Sequence, residues 1–389
     1  MNLQKEKPNV CIVTSPRLKA SVPPLSNLVS ILSSLSAQVF LITGNEGAQI
    51  FEINKNIRGI SISHNVKRQF FCRILNYIFL QLKISYEIIK LGKSIKIFIL
   101  FMGEGLLLPV ITLKILRKQI ILSLAASSPK IIDSQKDLHP ILKFPKYLEI
   151  INYMLSDKIV IYSPNLVAEW GLYRFQNKIH VGHEHILDFN RFKLEKKYNS
   201  RELVIGYIGR FSEEKGFMNF VESIPLILKE KPYLNISIIG DGDLKNNIQT
   251  YLLRNGLENT VKLTGWIYHE NLPWHLNSLK LLIIPSYTEG LPNIMLEAMA
   301  CGTPVLATKV GVIPDIIKDT ETGFVMDNNS PECIAKNVIR VLEYSELDKI
   351  VCNANTLVKT EYTYEGAVQK YKLILDDFSK SSYIIPSEV

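Results

Sequence analysis

Leu279-Lys280-Leu281-Leu282-Ile283-Ile284-Pro285-Ser286-Tyr287-Thr288-Glu289-Gly290-Leu291-Pro292-Asn293-Ile294-Met295-Leu296-Glu297-Ala298-Met299-Ala300-Cys301-Gly302-Thr303-Pro304-Val305-Leu306-Ala307-Thr308 is the stretch that decides the fold. Leu279–Ile284 and Pro304–Ala307 are short aliphatic runs closed by turn residues, and each reads as a buried strand. Asn293–Ala300 between them reads as a helix, with Pro292 suited to its first position and Gly302 to the residue past its end. Strand, helix and strand in that order form the crossover unit of a parallel sheet covered on both faces.

The same rhythm runs outward in both directions. Leu203–Ile208, Leu234–Ile239, Val261–Leu263 and Gly323–Val325 read as further strands, with helices over Phe217–Lys229, Leu244–Asn255 and Glu332–Tyr344. Upstream, strands are expected at Asn9–Thr14, Gln38–Thr43, Ile95–Phe101, Gln119–Leu124 and Lys158–Tyr162. Leu25–Ser36, Phe70–Leu91, Leu106–Arg117 and Phe144–Leu155 read as the helices among them. The polar, basic stretch Asp188–Ser200 interrupts the pattern and marks the join. A chain of 389 residues, 47% hydrophobic and 21% charged, is globular and long enough for two domains. The fold class is therefore α/β, two facing Rossmann-like parallel-sheet domains, with ligands bound at the carboxyl ends of strands.

Two strand-to-helix loops carry the chemistry. Gly209-Arg210-Phe211-Ser212-Glu213-Glu214-Lys215-Gly216 follows a strand and places two cations at the ligand edge of the sheet. Arg as a planar fork and Lys as a point charge can neutralise a diphosphate, although Glu213 and Glu214 offer local partners instead. The second loop, Thr288–Pro292, leads into a helix start whose free amides near Leu291, Asn293 and Ile294 favour a phosphate. Glu289 stands before that helix and Glu297 about two turns further along. A carboxylate can accept both hydroxyls of a ribose or a sugar, while a lone helical Glu also reads as ordinary surface.

Taken together, these segments resemble the family 4 retaining glycosyltransferases, which have the glycosyltransferase-B fold. The resemblance is strongest over residues 200–330. Arg210 and Lys215 match the family's pair on the donor diphosphate. Glu289 and Glu297 match its E-x7-E motif, the first Glu beside the transferred sugar and the second on the nucleotide ribose. Thr264-Gly265-Trp266 matches the loop beside the base, and Pro304–Thr308 with Gly311 matches the strand and turn that follow. The stretch Tyr364–Tyr371 resembles a terminal helix that crosses back onto the N-terminal domain.

The resemblance implies an acceptor domain over residues 1–188, a donor domain over 189–362 and the crossing helix over 363–389. It assigns Arg210, Lys215 and Glu289 to the reaction. Gly209, Gly265, Trp266, Gly290, Leu291, Pro292, Asn293, Ile294 and Glu297 fall to the nucleotide sugar, with no metal and no cofactor beyond that donor. The implied enzyme is a hexosyltransferase that retains anomeric configuration. The N-terminal loops depart from the family. Ser15–Pro24 replaces a Gly-Gly loop, and Leu124-Ala125-Ala126-Ser127-Ser128 stands where a His is common, so the acceptor stays open.

Charge adds a second line. Residues 1–189 carry 23 Lys and Arg against 12 Asp and Glu, and Lys55–Lys118 alone holds 12 cations with only Glu87 and Glu104 opposing them. Apolar residues are interleaved, as in Phe70–Leu75 and Tyr77–Leu80. Such a stretch suits an anionic membrane face, or else a helix packed on its own sheet with solvated lysines. No nucleic-acid-binding signature accompanies the charge. The most apolar run, Ile95–Leu116, is broken by Lys96, Glu104 and Lys114 and does not read as a membrane span. The N-terminus shows no signal-peptide apolar region. Five scattered cysteines (Cys11, Cys72, Cys301, Cys333, Cys352) suit reduced thiols in a cytoplasm.

Three smaller signals were weighed. Asp241-Gly242-Asp243 resembles a metal-binding D-x-D but follows a strand as an ordinary turn. His180, His183 and His185 have spacing that zinc would use, yet lack a nearby fourth ligand and read as a satisfied or solvent-facing linker. Glu104 either binds acceptor hydroxyls or caps the following helix. The resulting expectation is transfer of a sugar from a nucleoside-diphosphate sugar to a glycan or lipid-linked acceptor in envelope polysaccharide or glycoprotein glycan assembly. It places the protein in the cytoplasm, possible contact with the membrane included. A nucleotide-sugar epimerase of the same fold and a catalytically silent donor-binding subunit are the alternatives.

Overall fold

A computed structural model describes residues 7–16, 22–54, 57–64, 70–125 and 144–380. The chain divides into two units, Met1–Ile186 with Tyr364–Val389, and Leu187–Thr363. The loop Arg17–Ser21 and the stretch Ala126–Ser128, both singled out in the sequence, lie outside the described residues.

The first unit is built on β1 (Asn9–Val13), β2 (Gln38–Thr43), β3 (Arg58–Ser61), β4 (Ile97–Phe101), β5 (Gln119–Ser123), β6 (Lys158–Ile161) and β7 (Ile179–Val181). They pair in the order β3-β2-β1-β4-β5-β6-β7, and every ladder is parallel. Val10–Val13 and Ile97–Phe101 are fully buried, as expected for central strands covered on both faces. The helices are α1 (Val22–Leu35), α2 (Gln49–Ile53), α3 (Phe70–Leu91), α4 (Leu107–Ile115), α5 (Phe144–Leu155) and α6 (Asn165–Glu169). β3 and β7 were not expected. Both are edge strands with little burial, so they lack the apolar run that marks the others.

The second unit carries β8 (Val204–Ile208), β9 (Asn235–Ile239), β10 (Val261–Gly265), β11 (Leu281–Ile284), β12 (Val305–Thr308) and β13 (Phe324–Met326) in the order β10-β9-β8-β11-β12-β13, again all parallel. Its helices are α7 (Phe217–Glu230), α8 (Lys245–Arg254), α9 (Leu272–Ser278), α10 (Asn293–Ala300), α11 (Ile313–Ile316), α12 (Pro331–Leu342) and α13 (Leu347–Glu361). One apolar core joins the sheet to α7 and α12.

The last helix, α14 (Tyr364–Lys380), packs in the first unit. Ala367, Tyr371, Ile374, Leu375 and Phe378 enter that unit's core beside α1. Lys158 fixes it, with Nζ donating to the Ile374 carbonyl at 2.7 Å and lying 2.8 Å from Asp377 Oδ2.

In both sheets the strand order reverses once, between β1 and β4 and between β8 and β11. Loops leaving the carboxyl ends of such a pair diverge to opposite faces and open a crevice, the usual ligand position in this architecture.

Candidate functional site

β8 and β11 are neighbours through Ile205↔Leu281 and Gly206↔Leu282, so the two cation- and carboxylate-bearing loops emerge side by side at the reversal point. The first loop is anchored by Phe211, fully buried and stacked on Phe217 with centroids 4.5 Å apart. Its backbone is tied to the turn after β9, Phe211 N donating to Asp241 O and Leu244 N to Phe211 O. Tyr207 Oη donates to the Arg210 carbonyl at 2.7 Å. With Phe211 pinned inward, Arg210 is pushed out, and its side chain is 68% exposed.

The loop ends in a single 3₁₀ turn, Glu213–Lys215, and Gly216 at φ +60°. A Cβ there would sit 1.9 Å from the Pro285 carbonyl oxygen, so only glycine lets the loop after β8 lie against the one after β11. Tyr287 N donating to Glu214 O at 3.0 Å closes that contact.

The approach brings Lys215 Nζ to 2.7 Å from Glu289 Oε1, and Ser286 Oγ donates to the same oxygen at 2.7 Å. Glu289 is buried, while the Lys215 side chain keeps 25% of its surface. Gly311, at φ +60°, leaves room on the other side, since a Cβ would stand 1.9 Å from the Glu289 carbonyl oxygen. Arg210 takes the other local acid, its Nη2 standing 3.3 Å from Glu214 Oε1. Partial burial raises the Glu214 carboxyl, but the Ser212 hydroxyl, a backbone amide and the Arg210 and Lys215 charges outweigh it and hold it below the usual range. Of the two local partners offered by the sequence, only Glu214 takes a cation, and Lys215 reaches across to Glu289.

α10 covers the expected Asn293–Ala300, with Pro292 one position outside the helix rather than first within it. Pro292 is its N-cap, with extended backbone, and Asn293 is the first helical residue. No side chain caps this start, so its first amides keep their capacity for an acceptor. Leu291 is buried beneath, and the Gly290 carbonyl accepts from Val312 N at 3.3 Å.

Glu297 is buried on α10 rather than lying on its surface, and Oε1 is 2.7 Å from His269 Nε2. The bond to Glu297 raises the His269 pKa against partial burial. The Phe192 ring lies 5.2 Å from the imidazole. His269 had no sequence signal, because its role depends only on where the loop after β10 brings it. That loop turns at Gly265, φ +78°, and exposes Trp266 edge-on to Tyr268 at 4.8 Å. Gly209 and Gly265 meet through the turn after β9, Gly209 N donating to Ile239 O and Gly240 N to Gly265 O.

Arg201, also unmarked in the sequence, braces the site from below. Its buried guanidinium donates to the carbonyls of Lys196, Leu279 and Cys301 and to Thr303 Oγ1, tying the start of β11 to the end of α10. Burial lowers its pKa to about 10.

The smaller signals resolve differently. Asp241 accepts from the Gly242 amide at 2.9 Å and lies 3.4 Å from Lys245 Nζ, the bonding of a turn. Among the described residues no group of three or more His, Cys, Asp or Glu is placed to hold a metal ion. Of the two linker readings, satisfied or solvent-facing, the second does not hold for His183 and His185, which turn inward. His183 is buried and His185 nearly so, on either side of the buried Glu184, which accepts from Tyr162 Oη at 2.6 Å. Burial pushes the Glu184 carboxyl up to about 7 and His185 down to about 4. In the first turn of α4, Gln81 Oε1 accepts from Leu108 N at 3.0 Å. None of the five cysteines is paired in a disulfide.

The family model for glycosyl transferases group 1 matches residues 188–356. An uncharacterized glycosyltransferase of Methanocaldococcus jannaschii is 25% identical over 195 residues, covering 50% of this chain and 54% of its own. The capsular polysaccharide biosynthesis glycosyltransferase CapM of Staphylococcus aureus is 27% identical over 249 residues, covering 60% and 63%. The chain thus spans between about half and two thirds of the length of these relatives. Among solved structures, HepE of Anabaena in complex with UDP superposes with a TM-score of 0.74 at 16% identity, covering 94% of this chain and 99% of that one. At that identity the likeness establishes the fold, which is the glycosyltransferase-B type.

Proposed function

We propose that the chain, whose residues 188–356 match the model of the glycosyl transferases group 1, belongs to that family and moves a sugar from a nucleoside-diphosphate sugar to an acceptor hydroxyl with retention of anomeric configuration. One observation carries the reading. The loops after β8 and β11 meet at the strand-order reversal and bring Arg210, the Lys215–Glu289 pair and the uncapped start of α10 to one edge of the second sheet.

In this reading the diphosphate lies over the α10 start, with Arg210 as a fork and Lys215 as a point charge. As the anomeric carbon–oxygen bond breaks, the nucleoside diphosphate leaves with the bonding pair, and the acceptor oxygen forms the new bond as its proton departs. Arg210, Lys215 and the helix-start amides are fixed positive charge where the negative charge grows, the arrangement that lowers such a barrier most. Because that charge is built into the protein, turnover is expected to persist in chelator. Glu297, held by His269, receives the ribose hydroxyls, and Trp266 stands beside the base.

The acceptor is proposed as a glycan or lipid-linked glycan of envelope polysaccharide or glycoprotein assembly, met in the cytoplasm. The basic first unit and the scattered cysteines support this. Separately, no helix among the described residues is long and apolar enough to cross a membrane. The test is product analysis with a panel of nucleotide sugars and glycan acceptors, reading the anomeric coupling of the new linkage. An α-linked product from an α-linked donor is expected. An inverted product, or an epimerised nucleotide sugar formed without acceptor, would overturn the reading.

A further inference from the structure

The first unit carries an apolar stripe on its outside. Along α3, Leu80, Ile84 and Ile88 are buried, whereas Leu75, Ile78, Phe79, Leu82, Tyr86 and Ile89 are exposed. These six fall within about 100° of the helix circumference, and Ile74, also exposed, widens the arc to about 140°. Leu75 is 55% exposed and Phe79 61%, far more than helix residues of this size retain when they pack.

The helices packed next to it expose apolar residues as well. α4 packs between α3 and α5 and ends on Ile115, 75% exposed, while α5 exposes Tyr147, Ile151 and Met154 at successive turns. Cations flank it, with Lys83 and Lys90 exposed beside the stripe on α3, Lys93 just beyond that helix and Arg117 beyond α4. Nearby carboxylates are paired, Glu87 with Lys90 at 3.3 Å and Asp157 with Lys114 at 2.5 Å.

We propose that this α3–α4–α5 face docks on an anionic lipid bilayer, its apolar stripe seated between headgroups and its flanking cations on lipid phosphates. A helix apolar on its outer side and cationic at its flanks is suited to lie in the interface plane. A second copy of the chain suits the face less well, because a two-fold contact sets the same cations against each other. The docking deepens the acceptor reading above, since it brings the first unit to lipid-linked glycans, but it stands on the surface alone.

Flotation with vesicles of phosphatidylcholine, with and without one third phosphatidylglycerol, tests it. The protein is expected to float with the anionic vesicles and to be released by salt. Lys83→Gln/Lys93→Gln is expected to weaken partition about 25-fold, at about fivefold for each cation near the surface. Phe79→Ser/Leu82→Ser is expected to weaken it about a hundredfold through lost apolar burial. Melting temperature confirms that these exposed substitutions leave the fold intact, and nucleotide calorimetry on the same proteins reports the donor site separately. Equal binding to neutral and anionic vesicles, flotation unchanged in both variants, or a dimer that Phe79→Ser/Leu82→Ser dissociates in a protein that ignores vesicles would each overturn the proposal.

Discussion

Lys215→Met separates what the Lys215–Glu289 pair does for the fold from what it does for the reaction. The substitution keeps the side chain's bulk and removes its charge, leaving the buried Glu289 carboxylate with Ser286 as its remaining donor to Oε1. Uncompensating a buried ion pair costs about 3–5 kcal/mol, and the quarter of Lys215 left exposed brings the figure to about 2 kcal/mol. Adding Glu289→Gln removes the stranded charge while the amide can still accept from Ser286. The double variant should therefore recover most of that loss, a coupling of about 1–2 kcal/mol by thermal unfolding of the four proteins. Turnover should not recover. Losing one fixed positive group at the leaving diphosphate costs on the order of a hundredfold to a thousandfold, and the second substitution does not restore it. Strictly additive stability losses would refute the pairing, and near-normal turnover in Lys215→Met would refute its place in the reaction.

Other outcomes follow from the same structure. Arg201→Met strips the donor from the carbonyls of Lys196, Leu279 and Cys301 and should lower stability by about 3 kcal/mol in urea unfolding. The His269 pKa is raised in the folded protein, so its bond to Glu297 stabilises fully below about pH 6.5 and is lost as pH rises through the folded value. The ring is more than half exposed, so His269→Asn should flatten the pH profile of melting by less than about 1 kcal/mol. Glu184 has its folded pKa raised from 4.5 to about 7, so the folded state holds the extra proton and stability falls as pH rises between those values. Glu184→Gln should remove that decline, and its melting temperature relative to the parent should climb across that window and then level off.

The sequence made the parallel architecture readable because buried strands such as Gln38–Thr43 and Ile97–Phe101 are continuous aliphatic runs. Long helices rich in apolar residues, Phe70–Leu91 and Phe144–Leu155, were equally plain. What escaped was weakly apolar or short. β3 holds Arg58 and Gly59 at an exposed edge, and α9 is only seven residues long. α13 does carry apolar residues at Leu347, Ile350, Val351, Ala354 and Val358, a helical spacing that went unread among its many polar neighbours.

The site was legible in its parts and not in its wiring. Strand-to-helix loops with Arg210, Lys215, Glu289 and Glu297 stand out locally. The bond from Lys215 to Glu289 spans 74 positions and exists because β8 lies next to β11, an adjacency that sequence order hides. The His269–Glu297 contact and the Arg201 brace have the same origin. Their chemistry is ordinary, and only the sheet order brings the partners together.

The claim that the loops after β8 and β11 hold a nucleoside diphosphate is tested most directly by calorimetry of the protein and of Arg210→Ala against UDP, GDP, ADP and CMP. Arg210 is mostly exposed, so the variant should melt like the parent. Binding of one diphosphate nucleotide, weakened at least tenfold in the variant as a lost charge-assisted contact requires, is the expected result. Equal affinity in the two proteins, or no binding across the panel by a protein that melts cooperatively, would contradict it.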